Sequence, residues 1–177
     1  ISQAQQGAFL APKNPQVQVT VARLFEARGN YDQAQVSYQT ALAADPDYTP
    51  AKTAIITNSF RRGDMDGALK AAGELVKANP ESPEANKMYG EFLARKGMYK
   101  EAIPPLEKAT AAMPNSGDAF AILAHSYHMN RSFEDGKNAY ARAVELNPTN
   151  NDIKSNYGLL LGMSGDPEKG AQILGAL

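Results

Sequence analysis

Bulky apolar residues return along this chain at one fixed interval, and tiny ones return at the same interval in another phase. Val21, Ile55, Tyr89, Leu123 and Tyr157 share one phase of a 34-residue period. Phe25, Ser59, Leu93, Tyr127 and Leu161 share a second, and Ala34, Ala68, Ala102, Gly136 and Gly170 a third that asks for a very small side chain. The large and small phases explain one another: two antiparallel helices approach closely where one carries Ala or Gly, and the bulky residues fill the space beside them. Five positions before each small residue stands a turn, at Gly29, Gly63, Gly97, Arg131 and Gly165, and Pro12, Pro46, Pro80, Pro114 and Pro148 close each period. A repeat of this length built from helix, turn and helix predicts a solenoid of stacked helix pairs.

Cap chemistry agrees with that division. First helices are predicted to open at Asn14-Pro15, Thr49-Pro50, Ser82-Pro83 and Gly117-Asp118, where a capping side chain precedes proline in three of the four cases. Second helices are predicted to open at Asn30, Asp64, Ser132 and Asp166. Each repeat stops near Asp45-Pro46, Asn79-Pro80, Met113-Pro114 or Asn147-Pro148, because a residue before proline is pushed out of the helical region. Nothing between reads as a strand, so the predicted class is all-α. Pro104 and Pro105 break the local rule. They fall inside a second helix, remove two backbone donors and crowd the carbonyls of Lys100 and Glu101, which predicts a kinked helix on the convex face.

The segments Gly29-Asn30-Tyr31-Asp32-Gln33-Ala34 and Gly97-Met98-Tyr99-Lys100-Glu101-Ala102, with runs on to Ala41–Pro46 and Ala109–Pro114, resemble the inter-helix turn and second helix of tetratricopeptide repeat (TPR) proteins. The resemblance covers almost the whole chain and implies a right-handed superhelical TPR array. It divides the chain into the tail of a preceding helix (1–14), four repeats (15–48, 49–82, 83–116, 117–150) and an incomplete fifth (151–177). The register thus reads as a piece of a longer array. Its last helix, with Ile173, Leu174 and Leu177, has no capping helix after it, so either it stays partly exposed or a neighbouring molecule covers it.

Composition changes the picture by subtraction. A formal net charge of −1, with acids and bases interspersed, gives no basic stripe for nucleic acid and no polybasic run for a lipid surface. With no cysteine there are no disulfides, thiolate metal sites or cysteine nucleophiles. His125 and His128, three apart on one first helix, could share a metal, but Asp118 and Asp152 are the only further ligands nearby, so they read as groove-lining polar aromatics. Gly158 to Gly162 lies in a helix and packs, and Glu134 and Asp135 favour a helix dipole. No catalytic constellation, cofactor site or metal site is expected, and the chain reads as a non-enzyme.

In TPR proteins the first helices line a concave groove that holds an extended or helical peptide. Carried over phase by phase, the resemblance implies a partner-binding groove at Arg23, Glu26, Thr53, Thr57, Phe60, Arg61, Lys87, Met88, Glu91, Arg95, Ile122, His125, His128, Met129, Asn156 and Met163. Arg61, Lys87 and Arg95 could meet an acidic stretch of partner, and Phe60, Met88, Ile122, Met129 and Met163 give an adaptable apolar patch. The chaperone-tail binders of this class grip two carboxylates with lysine, asparagine and arginine. Here Arg23, Thr57, Glu91 and His125 stand at the asparagine phases, which argues against that role.

The closing segment, Asn151 to Leu174, resembles the last repeat of bacterial envelope TPR lipoproteins, the Tad-type pilus assembly proteins and more distantly the pilotins. That resemblance implies a protein scaffold helping a secretin or pilus component assemble, in the periplasm or at the outer membrane, with the cytoplasm as alternative. Two other roles stay open: a regulatory array attached to an enzyme such as a glycosyltransferase, and self-assembly through Ile173, Leu174 and Leu177.

Overall fold

The computed structural model describes residues 13–176; the expected helix tail before Pro12 and the side chain of Leu177 lie outside them. The described residues form ten helices and no strand, as the register requires. These are α1 (Pro15–Glu26), α2 (Tyr31–Ala44), α3 (Thr49–Arg61), α4 (Met65–Ala78), α5 (Pro83–Arg95), α6 (Tyr99–Ala112), α7 (Gly117–Met129), α8 (Phe133–Leu146), α9 (Asn151–Met163) and α10 (Pro167–Gly175). Two compact units divide between Ala78 and Asn79, the first built from α1–α4 and the second from α5–α10.

The inter-helix turns are made the same way five times. Gly29, Gly63, Gly97 and Gly165 have φ between 74° and 98°, and Arg131, without the freedom of glycine, is held at 63°. The residue after each turn donates its N–H to the carbonyl five residues earlier: Asn30 to Phe25, Asp64 to Ser59, Met98 to Leu93, Ser132 to Tyr127 and Asp166 to Leu161, all at 2.9 Å. This is the Schellman closure, which satisfies carbonyls that a helix end would otherwise leave open. The second phase of the sequence pattern therefore supplies both a packing side chain and the turn's acceptor.

At the helix starts, the side chains of Asn14 and Ser82 accept from the N–H three residues on, and Pro15 and Pro83 take the first helical position. Two starts differ from expectation. The residue preceding α3 is Tyr48, not Thr49, because Thr49 already lies in the helix and its hydroxyl turns back to Asp47 O. For α7 the cap is Ser116, whose hydroxyl accepts from Ala119 N; Gly117 has no side chain to do this and becomes the first helical residue. Asp64 caps through Gly67 N at 2.8 Å, whereas Asn30, Ser132 and Asp166 make no side-chain cap bond. Pro104 and Pro105 stand inside α6, which nevertheless runs on to Ala112. Lys100, Glu101 and Pro104 are exposed, so the carbonyls deprived of helical donors lie on a solvated side.

In the first unit the core gathers Val19, Ala22, Ala34, Tyr38, Ala41 and Ala51, with Phe25 and Ile55 packed against it. Fully buried Asn58 on α3 fastens that helix to α2 by donating to Tyr31 O at 3.0 Å and Gln35 Oε1 at 2.8 Å. In the second unit Leu93, Leu106, Leu123, Tyr140, Leu160 and Leu161 are all at most 5% exposed. Their packing uses the small phase as expected: Ala102 is fully buried, and a Cβ added to Gly170 would stand 2.6 Å from Gly158 O, so α9 and α10 touch backbone to backbone. The pattern contains a further register that the sequence reading did not use. Residues 16 apart meet in two of the repeats, Gly90 against Leu106 and Gly158 against Leu174. The equivalent pairs are Ala22 with Tyr38, Ala124 with Tyr140, and, with large and small exchanged, Ile56 with Ala72.

Candidate functional site: the faces of the first helices

On a helix, steps of four, three and four return to one face. Such steps define one stripe on each odd-numbered helix of the second unit. On α5 the stripe is Glu84, Met88, Glu91 and Arg95; on α7 it is Asp118, Ile122, His125 and Met129; on α9 it is Asp152, Asn156, Leu159 and Met163. None of the twelve is buried, α5 is adjacent to α7, and α7 to α9. Repeat symmetry therefore aligns them in rows: three acids, then Met88, Ile122 and Asn156, then Glu91, His125 and Leu159, then Arg95, Met129 and Met163.

The rows change character across the unit. On α5, Arg95 Nη2 pairs with Glu91 Oε1 at 2.8 Å, so the two charges largely cancel. Lys87, half-buried beside them, makes no ion pair among the described residues. On α7, His125 packs edge-on against Tyr99, ring centroids 5.6 Å apart, and His128 lies similarly against Phe133 at 6.3 Å. Burial lowers the pKa of both imidazoles, and His125 is lowered further by His128. Both are therefore neutral rings near pH 7. On α9 the stripe is apolar at its far end: Leu159 is 53% and Met163 66% exposed, and Met129 on α7 is 42% exposed. Between α5 and α7 a cavity of about 310 Å³ is lined by Glu91, Ala94, Arg95, Ala121, Ile122 and His125.

In the first unit, taken by itself, the first helices hold Arg23 and Thr57 exposed, Thr53 half-buried and Phe60 38% exposed. Arg61 reaches back from α3 to Glu26 on α1, Nη1 to Oε2 3.3 Å. Glu26 is the more enclosed partner, and its Oε1 is buried without a hydrogen bond. Tyr38 stands beside it. Burial first, then the Glu26 charge, pushes the Tyr38 phenol up to about 12. A second concavity of about 400 Å³, lined by Leu42, Pro46, Lys52, Ile55, Ala71, Glu74 and Leu75, opens on a different side of α3 from Thr57 and Arg61.

Every expected groove residue is thus at least partly accessible. Two of the three cations expected to meet an acidic partner are already answered within the chain, Arg61 by Glu26 and Arg95 by Glu91. Sequence reasoning passed over Leu159 and the acidic row Glu84, Asp118 and Asp152 as residues of the groove, the last two having been weighed only as metal ligands. Their stepwise spacing from Met163, Met129 and Arg95 was the available signal. Among the described residues no group of three or more His, Cys, Asp or Glu could hold a metal ion, and no helix is long and apolar enough to cross a membrane.

Repeated helix pairs, a left-handed turn in each, and an accessible face along the first helices define the class of helical-repeat scaffolds. Family models for the tetratricopeptide repeat match residues 15–48 and 53–117, and the chain belongs to that family. Its sequence is 26% identical over 91 residues to the small glutamine-rich tetratricopeptide repeat-containing protein 2 of Mycosarcoma maydis, a match spanning 51% of this chain and 26% of that protein. The fold is that of solved TPR solenoids. MamA (41-end) from Desulfovibrio magneticus RS-1 overlays with a TM-score of 0.85 at 20% identity, covering 92% of each chain. YrrB, described as a TPR protein with an unusual peptide-binding site, overlays at 0.81 with 17% identity over 97% of this chain and 89% of its own. PilF of Pseudomonas aeruginosa overlays at 0.75 with 18% identity over 92% of this chain and 75% of its own.

Proposed function

We propose that this chain is a non-catalytic scaffold that holds a protein or peptide partner on the faces of its first helices. The observation that carries the reading is the row structure of the second unit. Large apolar and ionic side chains repeat there in register on adjacent helices and remain open to solvent, beside a cavity able to receive a side chain. The peptide-binding site named for YrrB is in keeping with it. The resemblance of residues 151–174 to envelope TPR lipoproteins suggests that the partner is a pilus or secretin component.

A photo-crosslinking amino acid at Met163 or at His125, with a third copy at Val36 as control, tests this. Val36 is 62% exposed but lies on second helix α2. Adducts from the first two positions alone, identified by mass spectrometry as pilus or secretin components, are the expected result. Adducts of equal yield from Val36 would move the binding surface off the first helices. Adducts at the expected positions with some other protein would keep the surface and discard the pilus role.

A further inference from the structure

We infer that the first-helix face of the second unit takes a basic amphipathic helix of a protein partner, its apolar side on Met129, Leu159 and Met163 and its lysines or arginines along Asp118 and Asp152. The inference rests on the reading of this face as the binding surface and gives that surface its chemistry. Single exposed apolar residues are ordinary, but here three large ones, 42%, 53% and 66% exposed, lie on the stripes of adjacent helices α7 and α9, Met129 in register with Met163 and Leu159 one turn before it. Methionine beside leucine makes a surface that adapts to a packed side chain.

Charge decides the occupant. Asp118 and Asp152 are exposed at the other end of the same two stripes, and among the described residues neither makes an ion pair. Asp118 accepts only a long hydrogen bond, 3.4 Å, from the neutral amide of Asn147. No lysine or arginine shares these two stripes. The cations of the unit's binding face stand on α5, a helix away, and Arg95 there is turned to Glu91. An acidic segment would therefore meet unscreened repulsion at the α7–α9 end, and a basic one would meet attraction.

Dimensions favour a helix lying across α7 and α9. Eleven residues of helix separate Asp118 from Met129, about 16 Å at the α-helical rise, against a helix width of about 10–12 Å with side chains. A helix with one basic and one apolar edge spans that gap once lysine or arginine side chains extend toward the acids. An extended segment following one stripe would use one acid and leave the other unanswered. Helix-in-groove docking by anchors three and four residues apart is the matching recognition mode.

The test is a display library of alanine-rich 16-residue helices, randomised on one face among Leu, Ala, Lys and Glu and selected against the folded protein. Enrichment of net-positive peptides with Leu at spacings of three and four is expected. Their affinity should fall with salt, fall about tenfold in the Asp118→Asn, Asp152→Asn double variant, and be lost in Leu159→Glu. All three residues are exposed, and circular dichroism confirms that the variants stay folded. Enrichment of acidic peptides that Leu159→Glu still blocks would overturn the charge assignment while leaving the face as a binding surface. Failure to enrich any peptide, or enrichment of peptides indifferent to Leu159→Glu, would overturn both.

Discussion

Replacing Arg131 with glycine should stabilise the protein, and replacing Gly97 with alanine should destabilise it by a similar amount. Both residues occupy the same position of the repeat, with φ of 63° and 76°. An L-residue in the left-handed region costs about 1–2 kcal/mol. Glycine avoids that cost but loses about 0.4–1 kcal/mol more through the unfolded chain's freedom. The difference is about 0.5–1 kcal/mol in favour of glycine, or about 2–3 °C in Tm for a chain of this size. Neighbours do not confuse the comparison. Nothing lies within 4 Å of a Cβ added to Gly97, and among the described residues the Arg131 guanidinium makes no ion pair. Urea unfolding followed by circular dichroism gives the global effect. Amide exchange at Ser132, which donates to Tyr127 O across this turn, gives the local one. It should slow about two- to fivefold in Arg131→Gly. An unchanged or faster Ser132 amide, together with a neutral Gly97→Ala, would refute the claim that backbone geometry sets the cost of this turn.

The remaining predictions concern packing and charge. Gly170→Ala should cost about 1–3 kcal/mol because its Cβ would meet Gly158 O at 2.6 Å, while Gly162→Ala, with nothing within 4 Å, should be neutral or better; exchange in α9 and α10 distinguishes them. Stability should be highest above pH 6.5 and fall as pH drops below it, since His125 and His128 have lowered folded-state pKa values and the unfolded chain takes up protons first. The urea midpoint between pH 7 and pH 5 checks this, and a His125→Gln, His128→Gln variant should flatten that part of the slope. Glu26→Gln should bring the Tyr38 phenol down from about 12 yet leave it above 10, because burial and not the neighbouring carboxylate is the larger cause; ultraviolet titration of tyrosinate reads it.

Much of the architecture was legible because a repeat tests each position several times. The turn at Arg131 could be assigned although it lacks glycine, since Gly29, Gly63, Gly97 and Gly165 fix what that position does. Position-specific chemistry was harder. Thr49 looks like a cap beside Pro50, but the chain enters α3 one residue earlier, and Ser116 captures the role expected at Gly117. The proposed binding face was readable as a set of phases but not in its charge. Whether Arg61 and Arg95 face a partner or their own neighbours depends on rotamers, and the structure turns them to Glu26 and Glu91. Asp118 and Asp152 were weighed only as further metal ligands beside His125 and His128, and the structure places each in the first turn of its helix. Their place at one end of stripes ending in Met129 and Met163 follows from the spacing, but the alignment of those stripes needs α7 and α9 side by side.

The paired positions 16 residues apart carry a consequence for how such arrays can be recombined. Gly90 is shaped to Leu106 and Gly158 to Leu174, while Ile56 and Ala72, both fully buried, hold the equivalent positions with large and small exchanged. Each pair belongs to a single repeat and straddles its inter-helix turn. A crossover placed in the loops that begin at Pro46, Pro114 or Pro148 moves a matched pair as a unit. A crossover at the glycine turn splits it, setting Ile56 against a leucine or Gly90 against an alanine, one overfilled and the other hollow. The inter-repeat loops are therefore the natural joints for chimeras of this chain. The turns, although they look more like hinges in sequence, are the places where an exchange would break the fit.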